Sequence, residues 1–204
     1  MKIMTPLLIV FEGIDGAGKS TQATLLYAFC RECAKTALLQ EPTDSRWGKS
    51  IRKILQGELQ ATTQQMLDLF LLDRAYDVEH NIKPLLHKGY VVIVDRYFYS
   101  TAAYQAGDGN SPHEIISMNC EKGFPVPDRV YFIDIEPEIA LTRIDMRSGN
   151  NRDIFEKLSE LTRIRSNYLS IADDRFCIIN GNNSKEAIFD AIQKDFIQHF
   201  SDVT

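Results

Sequence analysis

Residues 13–20 combine glycine, lysine and serine in a spacing that can hold phosphate groups. They read Gly13-Ile14-Asp15-Gly16-Ala17-Gly18-Lys19-Ser20, a Gly-x-x-x-x-Gly-Lys-Ser pattern. The glycines let successive backbone amides turn toward phosphate oxygens, Lys19 can reach the β- and γ-phosphates, and the Ser20 hydroxyl can ligate Mg²⁺. The pattern therefore predicts a nucleotide site with a magnesium ion.

The segments on both sides of this loop fit a phosphate cradle. The apolar run 7–11 precedes the loop and predicts a strand, and the sequence from Thr21 onward continues in a helical pattern. The start of such a helix carries partial positive charge that favours a bound anion. The alternative is a glycine-rich turn without function, and the loop alone does not identify a reaction.

An acid and an arginine follow a second apolar run. Residues 91–94 are valine and isoleucine only, and Asp95-Arg96-Tyr97 comes next. An aspartate at the carboxyl end of a buried parallel strand lies near the phosphate loop in this class of fold, where Asp95 could hold Mg²⁺ beside Ser20. Arg96 could bind a phosphate through two hydrogen bonds. A structural ion pair at the strand end is the alternative.

Phe70 and Arg74 share one face of a predicted helix because they are four residues apart. A ring and a guanidinium on one face could stack on a base and bind its edge. A core phenylalanine next to a solvated arginine is the default interpretation of this pair.

Apolar runs alternate with helical patterns along the chain, which predicts an α/β fold. The order implies a five-stranded parallel sheet flanked by helices, with ligands at the carboxyl ends of the strands. The predicted strands are 7–12, 37–41, 90–94, 129–134 and 176–179. The predicted helices are 19–34, 45–57, 63–87, 98–106, 112–121, 137–147, 154–172 and 184–200.

Composition narrows the classes of function. The net charge of −5 over 204 residues argues against sequence-independent nucleic-acid binding, which needs a basic surface. No apolar run approaches the roughly 18 residues that span a membrane, and we expect no signal peptide. The four cysteines form no metal-type pattern, because Cys30 and Cys33 stand alone as a pair. We therefore expect a cytoplasmic protein with reduced cysteines.

Taken together, these segments resemble the thymidylate kinase family of P-loop nucleoside monophosphate kinases. The matching stretches are 11–22, 41–43, 72–75, 127–128 and 136–143. The most specific one is Asp95-Arg96-Tyr97 continuing to Ser100-Thr101-Ala102-Ala103-Tyr104-Gln105. The resemblance implies a three-layer P-loop kinase fold over residues 1–204 with a short lid at about 147–153. It also implies phosphoryl transfer from ATP to dTMP, giving dTDP and ADP for dTTP synthesis, with Mg²⁺ as cofactor.

The resemblance also assigns roles to individual residues. ATP would lie on residues 13–21. The implied dTMP contacts are the 3′-hydroxyl for Asp15, the phosphate for Arg96, the base for Phe70, Arg74, Ser100 and Thr101, and the sugar for Tyr104. Ser20 and Asp95 would serve Mg²⁺, and Glu12 would lie near the transfer site. Family members are commonly homodimers, for which the apolar face of 63–87 could serve.

The source of catalytic charge is a point of variation within the family. Some members carry an arginine inside the phosphate loop, at the place of Gly16 in this chain. Gly16 resembles the other subgroup, whose charge comes from the lid, so Arg147 and Arg152 are the expected lid arginines. Solvated surface arginines are the alternative for both.

Two departures from the family pattern affect the expected binding of phosphate. Gln40 precedes Glu41-Pro42 where members commonly have arginine, so Arg96 and Arg74 would suffice, or Arg46 would reach in. Ile154 stands where many members have a lid arginine. Neither changes the reaction class that the resemblance implies.

Two other functions remain open from the sequence. One is a deoxynucleoside monophosphate kinase with a different or broader acceptor, such as dUMP or dCMP. The other is a P-loop regulator that binds nucleotide without phosphoryl transfer. A guanine-specific switch would carry an Asn-Lys-x-Asp stretch, which this sequence lacks.

Overall fold

Five apolar segments form the strands of one parallel sheet in the computed structural model, which describes residues 2–107, 109–148 and 154–202. Side chains at 145–148, 154–156 and 202 are outside that description. Its strands are β2 (Leu7–Glu12), β3 (Thr36–Gln40), β4 (Val91–Asp95), β5 (Arg129–Asp134) and β6 (Phe176–Asn180). They lie in the order β3-β4-β2-β5-β6, which confirms the predicted five-stranded parallel sheet.

A second, short pairing joins the two ends of the described chain. Strand β1 (Lys2–Ile3) pairs antiparallel with β7 (Ser201–Asp202). Each contributes only two residues, which is too short to leave a periodic pattern in the sequence.

The central strands are covered on both faces, and their register aligns their carboxyl ends. All residues of β2 and β4 are buried, as their unbroken apolar runs predict. Phe11 is paired with Asp95, Gln40 is paired with the same Asp95, and Glu12 is paired with Phe132. The phosphate loop, Glu12 and Asp95 therefore emerge at one edge of the sheet.

The helices begin where the sequence offers capping residues. Ser45, Thr62, Ser111 and Ser184 each accept a backbone amide in the first turn of the helix that follows. The helices are α1 (Lys19–Cys30), α2 (Arg46–Leu55), α3 (Thr63–Asp77), α4 (Lys83–His87), α5 (Phe98–Gln105), α6 (Pro112–Glu121), α7 (Pro137–Ser148), α8 (Ile154–Ser170) and α9 (Lys185–Phe200). Within the described residues, none of them has the length and apolar character of a membrane span.

The helix predicted over 63–87 is not one uniform α-helix. A π-helical turn, Val78–Ile82, separates α3 from α4, and the amide of Lys83 donates to the carbonyl of Val78. Pro84 explains the change, because proline has no amide hydrogen and its ring crowds the carbonyl four residues earlier. The wider turn relieves that crowding.

Helix α3 fixes the loop that follows β3. The buried carboxylate of Asp73 accepts hydrogen bonds from the Thr43 amide at 2.8 Å, the Thr43 hydroxyl at 2.6 Å and the Ser45 hydroxyl at 2.6 Å. Gly48 lies so close that an added Cβ would be 2.0 Å from the Thr43 carbonyl oxygen. The loop carrying Glu41 is thus held against α3.

Asp77 should make folding stability depend on pH. Burial raises the pKa of its carboxyl group from 3.8 to about 6, and one of its oxygens has no hydrogen-bond partner among the described residues. The folded state holds this proton more tightly than the unfolded chain, so its contribution to stability is lost as the pH rises through the folded pKa. Asp77→Asn should therefore gain up to about 3 kcal/mol over wild type between about pH 4 and pH 8, measured by urea unfolding.

Asp68 provides the matched control, since it is an exposed aspartate on the same helix. Asp68→Asn should show no such pH-dependent gain. A difference between Asp77→Asn and wild type that stays constant over this pH range would contradict the interpretation.

Candidate active site

The phosphate loop lies between β2 and α1, and its lysine is folded back onto the loop. Lys19 is buried, and its Nζ donates to the Ile14 carbonyl at 2.9 Å. Burial and the nearby charge of Arg96 lower the pKa of Lys19 to about 7. The carboxylates of Asp15 and Asp95 oppose that shift. A phosphate anion at this position would hold the lysine in its charged form.

Two glycines of the loop have no room for a side chain. A Cβ on Gly13 would lie 2.7 Å from the Ile133 carbonyl oxygen, and one on Gly16 would lie 2.6 Å from that of Ala140. Gly16 also has a φ of 82°. This backbone therefore excludes an arginine at Gly16, which gives a physical reason for the glycine that the sequence has there.

Arg143 is a cation at the loop to which the sequence analysis gave no role. Its guanidinium donates to the Gly16 carbonyl at 3.4 Å and to the Gly181 carbonyl at 3.2 Å. Arg143 lies on α7, at the end of the stretch 136–143 that resembles the family. Only its proximity to the loop in space marks it as part of the site.

The predicted metal ligands lie together. The Ser20 hydroxyl donates to one carboxylate oxygen of Asp95. The other Asp95 oxygen is buried and has no hydrogen-bond partner among the described residues. A hydroxyl and a carboxylate with a free oxygen fit Mg²⁺, which usually takes one or two protein ligands together with substrate phosphates.

All seven residues predicted to bind dTMP line one cleft beside the loop. The cleft lies between the loop, α3 and α5. Its predicted members are Asp15, Phe70, Arg74, Arg96, Ser100, Thr101 and Tyr104, and Leu55, Glu41, Pro42, Tyr97 and Gln105 complete the lining. The structure therefore brings together a ring, two guanidiniums and several hydroxyls next to the phosphate cradle.

Arg96 is held in a strained backbone conformation. Its φ is 70°, and no other non-glycine residue in the described part of the chain has a positive φ. Its amide donates to the Phe11 carbonyl at 3.0 Å, which ties the turn to β2. A left-handed conformation costs about 1–2 kcal/mol for a residue with a side chain. Such strain at a cleft is typical of functional positions.

The Arg96 guanidinium makes contacts on several sides. It forms an ion pair with Asp15, donates to the Ser100 hydroxyl at 3.2 Å, and lies 5.2 Å from the centre of the Tyr104 ring. Burial alone would raise the pKa of Asp15, but the charges of Arg96 and Lys19 outweigh it and lower that pKa. Asp15 is thus a charged acceptor at the cleft.

Arg74 is buried rather than solvated, so the default interpretation of the Phe70–Arg74 pair is wrong. Its guanidinium bonds both carboxylate oxygens of Glu41, the Asn119 side chain at 2.9 Å and the Thr101 hydroxyl at 3.1 Å. These bonds occupy four of the five N–H groups of a guanidinium. One N–H of Arg74 has no hydrogen bond among the described residues.

Glu12 is fully buried and accepts hydrogen bonds from the start of α5. Its carboxylate accepts the amides of Tyr97 at 2.9 Å and Ser100 at 3.2 Å, the Ser100 hydroxyl at 2.5 Å and the Tyr168 hydroxyl at 2.9 Å. Burial raises the pKa of Glu12, and hydrogen bonds from Ser100 and Tyr97 oppose the rise. The carboxylate caps the start of α5, the helix that carries much of the cleft.

The lid prediction falls largely outside the described residues. Arg152 and most of the segment 147–153 are not described, and Arg147 belongs to α7 with a side chain that is not described. Arg46, the alternative phosphate ligand, lies 4.4 Å from the Trp47 ring centre and does not line the cleft.

Comparison with known proteins gives one consistent family. The model of the thymidylate kinase family matches residues 11–192. A thymidylate kinase of Leptospira borgpetersenii serovar Hardjo-bovis is 40% identical over 202 residues, which cover 98% of each chain. A probable thymidylate kinase of Archaeoglobus fulgidus is 39% identical, covering 92% of this chain and 93% of that protein.

Gly16→Ala should destabilise the protein more than its backbone angle alone explains. Strain at a positive φ accounts for about 1–2 kcal/mol, and contact with the Ala140 carbonyl should add at least about 1 kcal/mol. Urea unfolding without nucleotide measures the total. ATP binding should weaken in parallel, because the loop must shift to admit the methyl group.

Gly57→Ala is the control, because Gly57 has a φ of 78° and nothing within 4 Å of an added Cβ. It should lose only the strain energy. Equal losses in the two variants would show that the Ala140 contact is readily relieved.

Proposed function

This chain belongs to the thymidylate kinase family, and from that premise we propose that it transfers the γ-phosphoryl group of ATP to dTMP, giving dTDP and ADP. The observation that carries this proposal is the cleft between the phosphate loop, α3 and α5. Its lining includes the residues expected to bind dTMP, and Asp15 of the phosphate loop is one of them. The donor would lie on residues 13–21 and the acceptor in the cleft, so that the two phosphates meet between Lys19 and Arg96.

The chemistry requires positioning and charge more than proton transfer. The acceptor is an anionic phosphate, so the protein must align two anions that repel each other and neutralise the charge that develops between them. Lys19 would supply positive charge from the phosphate loop, and Arg96 would supply it from the turn after β4. Because Asp15 and Ser100 already hold the Arg96 side chain, its guanidinium needs little reorganisation when it takes up a phosphate.

The residues that line the cleft support recognition of a deoxynucleotide, which we propose to be a pyrimidine. The Phe70 ring can stack on the base, and the Thr101 hydroxyl and the remaining N–H of Arg74 can bind its edge. Ser100 would contribute less to base binding than Thr101, since the Ser100 hydroxyl already donates its hydrogen to Glu12. Asp15 would accept the 3′-hydroxyl, and the Tyr104 ring would exclude a 2′-hydroxyl.

Ser20 and Asp95 would hold Mg²⁺, supported by the unpartnered Asp95 oxygen next to the Ser20 hydroxyl. When bound, the ion supplies charge neutralisation for the ATP phosphates. Arg147 and Arg152 remain our proposed lid arginines, which would add charge over ATP and exclude competing water. We assign Glu12 a positioning role through α5.

The wider setting is also proposed. We treat residues 1–204 as one kinase domain, supported by a single sheet that runs from β2 to β6. All four cysteines are free, which supports a reducing cytoplasmic location that cell fractionation tests. We propose no nucleic-acid or membrane partner.

A coupled ADP-release assay with a panel of monophosphates tests the function. With ATP and Mg²⁺, dTMP should give the highest kcat/KM, above dUMP and dCMP, and omission of Mg²⁺ should abolish turnover. ATP binding without turnover on any monophosphate would contradict the kinase proposal. Preference for another monophosphate would contradict only the choice of dTMP.

In the same assay, Arg96→Ala should lower kcat/KM for dTMP by roughly 100-fold or more, because a charged phosphate contact is lost. The Kd for ATP should stay within about three-fold of wild type. Arg46→Ala is the matched control and should behave as wild type, since Arg46 stacks on Trp47 outside the cleft. Equal loss of ATP affinity in Arg96→Ala would contradict the acceptor role.

We further propose a homodimer through the outer face of α3. Leu69, Leu72 and Tyr76 lie on one side of this helix, and Leu72 is 46% exposed. Sedimentation equilibrium should give twice the mass of one chain, and Leu72→Glu should shift it to one. Ile178 on β6 is the control, because its side chain is also exposed but lies away from α3. Ile178→Glu should leave the dimer intact. A wild-type monomer would refute the proposal.

A further inference from the structure

Helix α5 carries Ser100, Thr101 and Tyr104 into the cleft, yet it is only eight residues long. A helix leaves its last four carbonyls without intrahelical partners, which is half of such a short helix. Its start is fixed by Glu12, as described above. The contacts that fix its end decide how firmly Tyr104 is placed.

The chain leaves the helix abruptly after Tyr104. Ala106 is extended, with φ −66° and ψ 136°. The Gly107 amide, which would bond the Ala103 carbonyl in a continued helix, donates instead to the Asn110 carbonyl at 3.1 Å. Ala103 is fully buried, so its carbonyl needs a partner from elsewhere.

Two side chains of α8 provide the missing partners. The Asn167 amide donates to the Ala103 carbonyl at 2.9 Å. The Arg163 guanidinium donates to the Ala106 carbonyl at 2.8 Å and to the Tyr104 carbonyl at 3.4 Å. Arg163 and Asn167 are four residues apart and share one face of α8. Together they cap the carboxyl end of α5.

These contacts bear directly on the orientation of Tyr104. Its hydroxyl is 3.5 Å from the Arg96 guanidinium, and its ring packs edge-on against Tyr168, with 6.4 Å between ring centres. Tyr168 also lies on α8 and bonds Ser100 at 2.8 Å. One helix outside the cleft thus sets both the backbone and the ring of the residue that would face the sugar.

We propose that Arg163 and Asn167 are positioning residues that set the preference for deoxyribonucleoside over ribonucleoside monophosphates by fixing Tyr104. This inference rests on the proposed function. Neither side chain lines the cleft, so their effect must pass through α5. The preference depends on the Tyr104 ring, which would exclude the 2′-hydroxyl of a ribonucleotide. If the last turn of α5 were free to move, the ring would exclude that hydroxyl less well.

The test compares kcat/KM for dTMP with that for its ribose analogue, 5-methyluridine 5′-monophosphate. Arg163→Met and Asn167→Leu should each lower the deoxy-to-ribo ratio between about three-fold and ten-fold, the effect of losing one or two hydrogen bonds. Arg163→Lys should recover part of the loss. Ser166→Ala, at an exposed position on the same helix, should keep the wild-type ratio. The KM for ATP should not change.

A double-mutant cycle separates positioning from general loosening. In a Tyr104→Ala background there is no ring left to position, so Arg163→Met should change the ratio by less than about two-fold. An unchanged ratio in both single variants would overturn the inference, and so would an equal fall with and without Tyr104. Arg163 is exposed, so Arg163→Met keeps the test decisive if Asn167→Leu does not fold.

The two proposals fail in different ways. Dissociation constants of the same two monophosphates, measured by calorimetry, give the deoxy-to-ribo ratio even for a chain without turnover. A wild type that binds both equally overturns this inference. A wild type that prefers dTMP but transfers no phosphoryl group contradicts the proposed function, while variants that lower the binding ratio still support the positioning role.

Discussion

The register between β2 and β4 determines where the functional groups of this protein lie. Pairing of Phe11 with Asp95 places the end of one strand, where the phosphate loop begins, beside the end of the next. The Arg96 amide then bonds the Phe11 carbonyl, so the turn after β4 is fixed to the strand before the loop. A slip of one residue would turn every side chain of a strand to the opposite face. The phosphate loop and the cleft beside it are therefore held together by the pairing of β2 with β4 and by the Arg96–Phe11 hydrogen bond.

Charges buried around Arg74 organise the second half of the site. Arg74 bonds Glu41 after β3, Asn119 on α6 and Thr101 on α5. Removal of one charged partner, such as Glu41, would leave the buried charge of Arg74 uncompensated and would strongly destabilise the folded protein. Stretches that are far apart in the sequence are thereby kept in contact.

The sequence was sufficient for the elements that periodicity and turn chemistry determine. The five long strands, the phosphate loop and the placement of Asp95 beside Ser20 follow from apolar runs and known connectivity. The burial of Arg74 could not be predicted, because its partners come from three separate elements. Arg143, Arg163 and Asn167 were missed for a related reason: their partners are backbone carbonyls, which leave no trace in side-chain patterns. Pro84 marks the break within 63–87 in the sequence itself, because proline interrupts the hydrogen bonding of an α-helix. The lid assignment stays a prediction.

Arg96 combines two requirements that no amino acid meets without strain. Its position needs a backbone that glycine adopts freely, with φ at 70°, and it also needs a guanidinium. Selection for folding stability alone would favour glycine here, and selection for phosphate binding would favour arginine in spite of the strain. Under the proposed function, arginine is explained at this position by phosphate binding, which outweighs the cost of the strained backbone. An attempt to make this protein more thermostable by relaxing the backbone angle of Arg96 would therefore remove the guanidinium that the proposed phosphate contact requires.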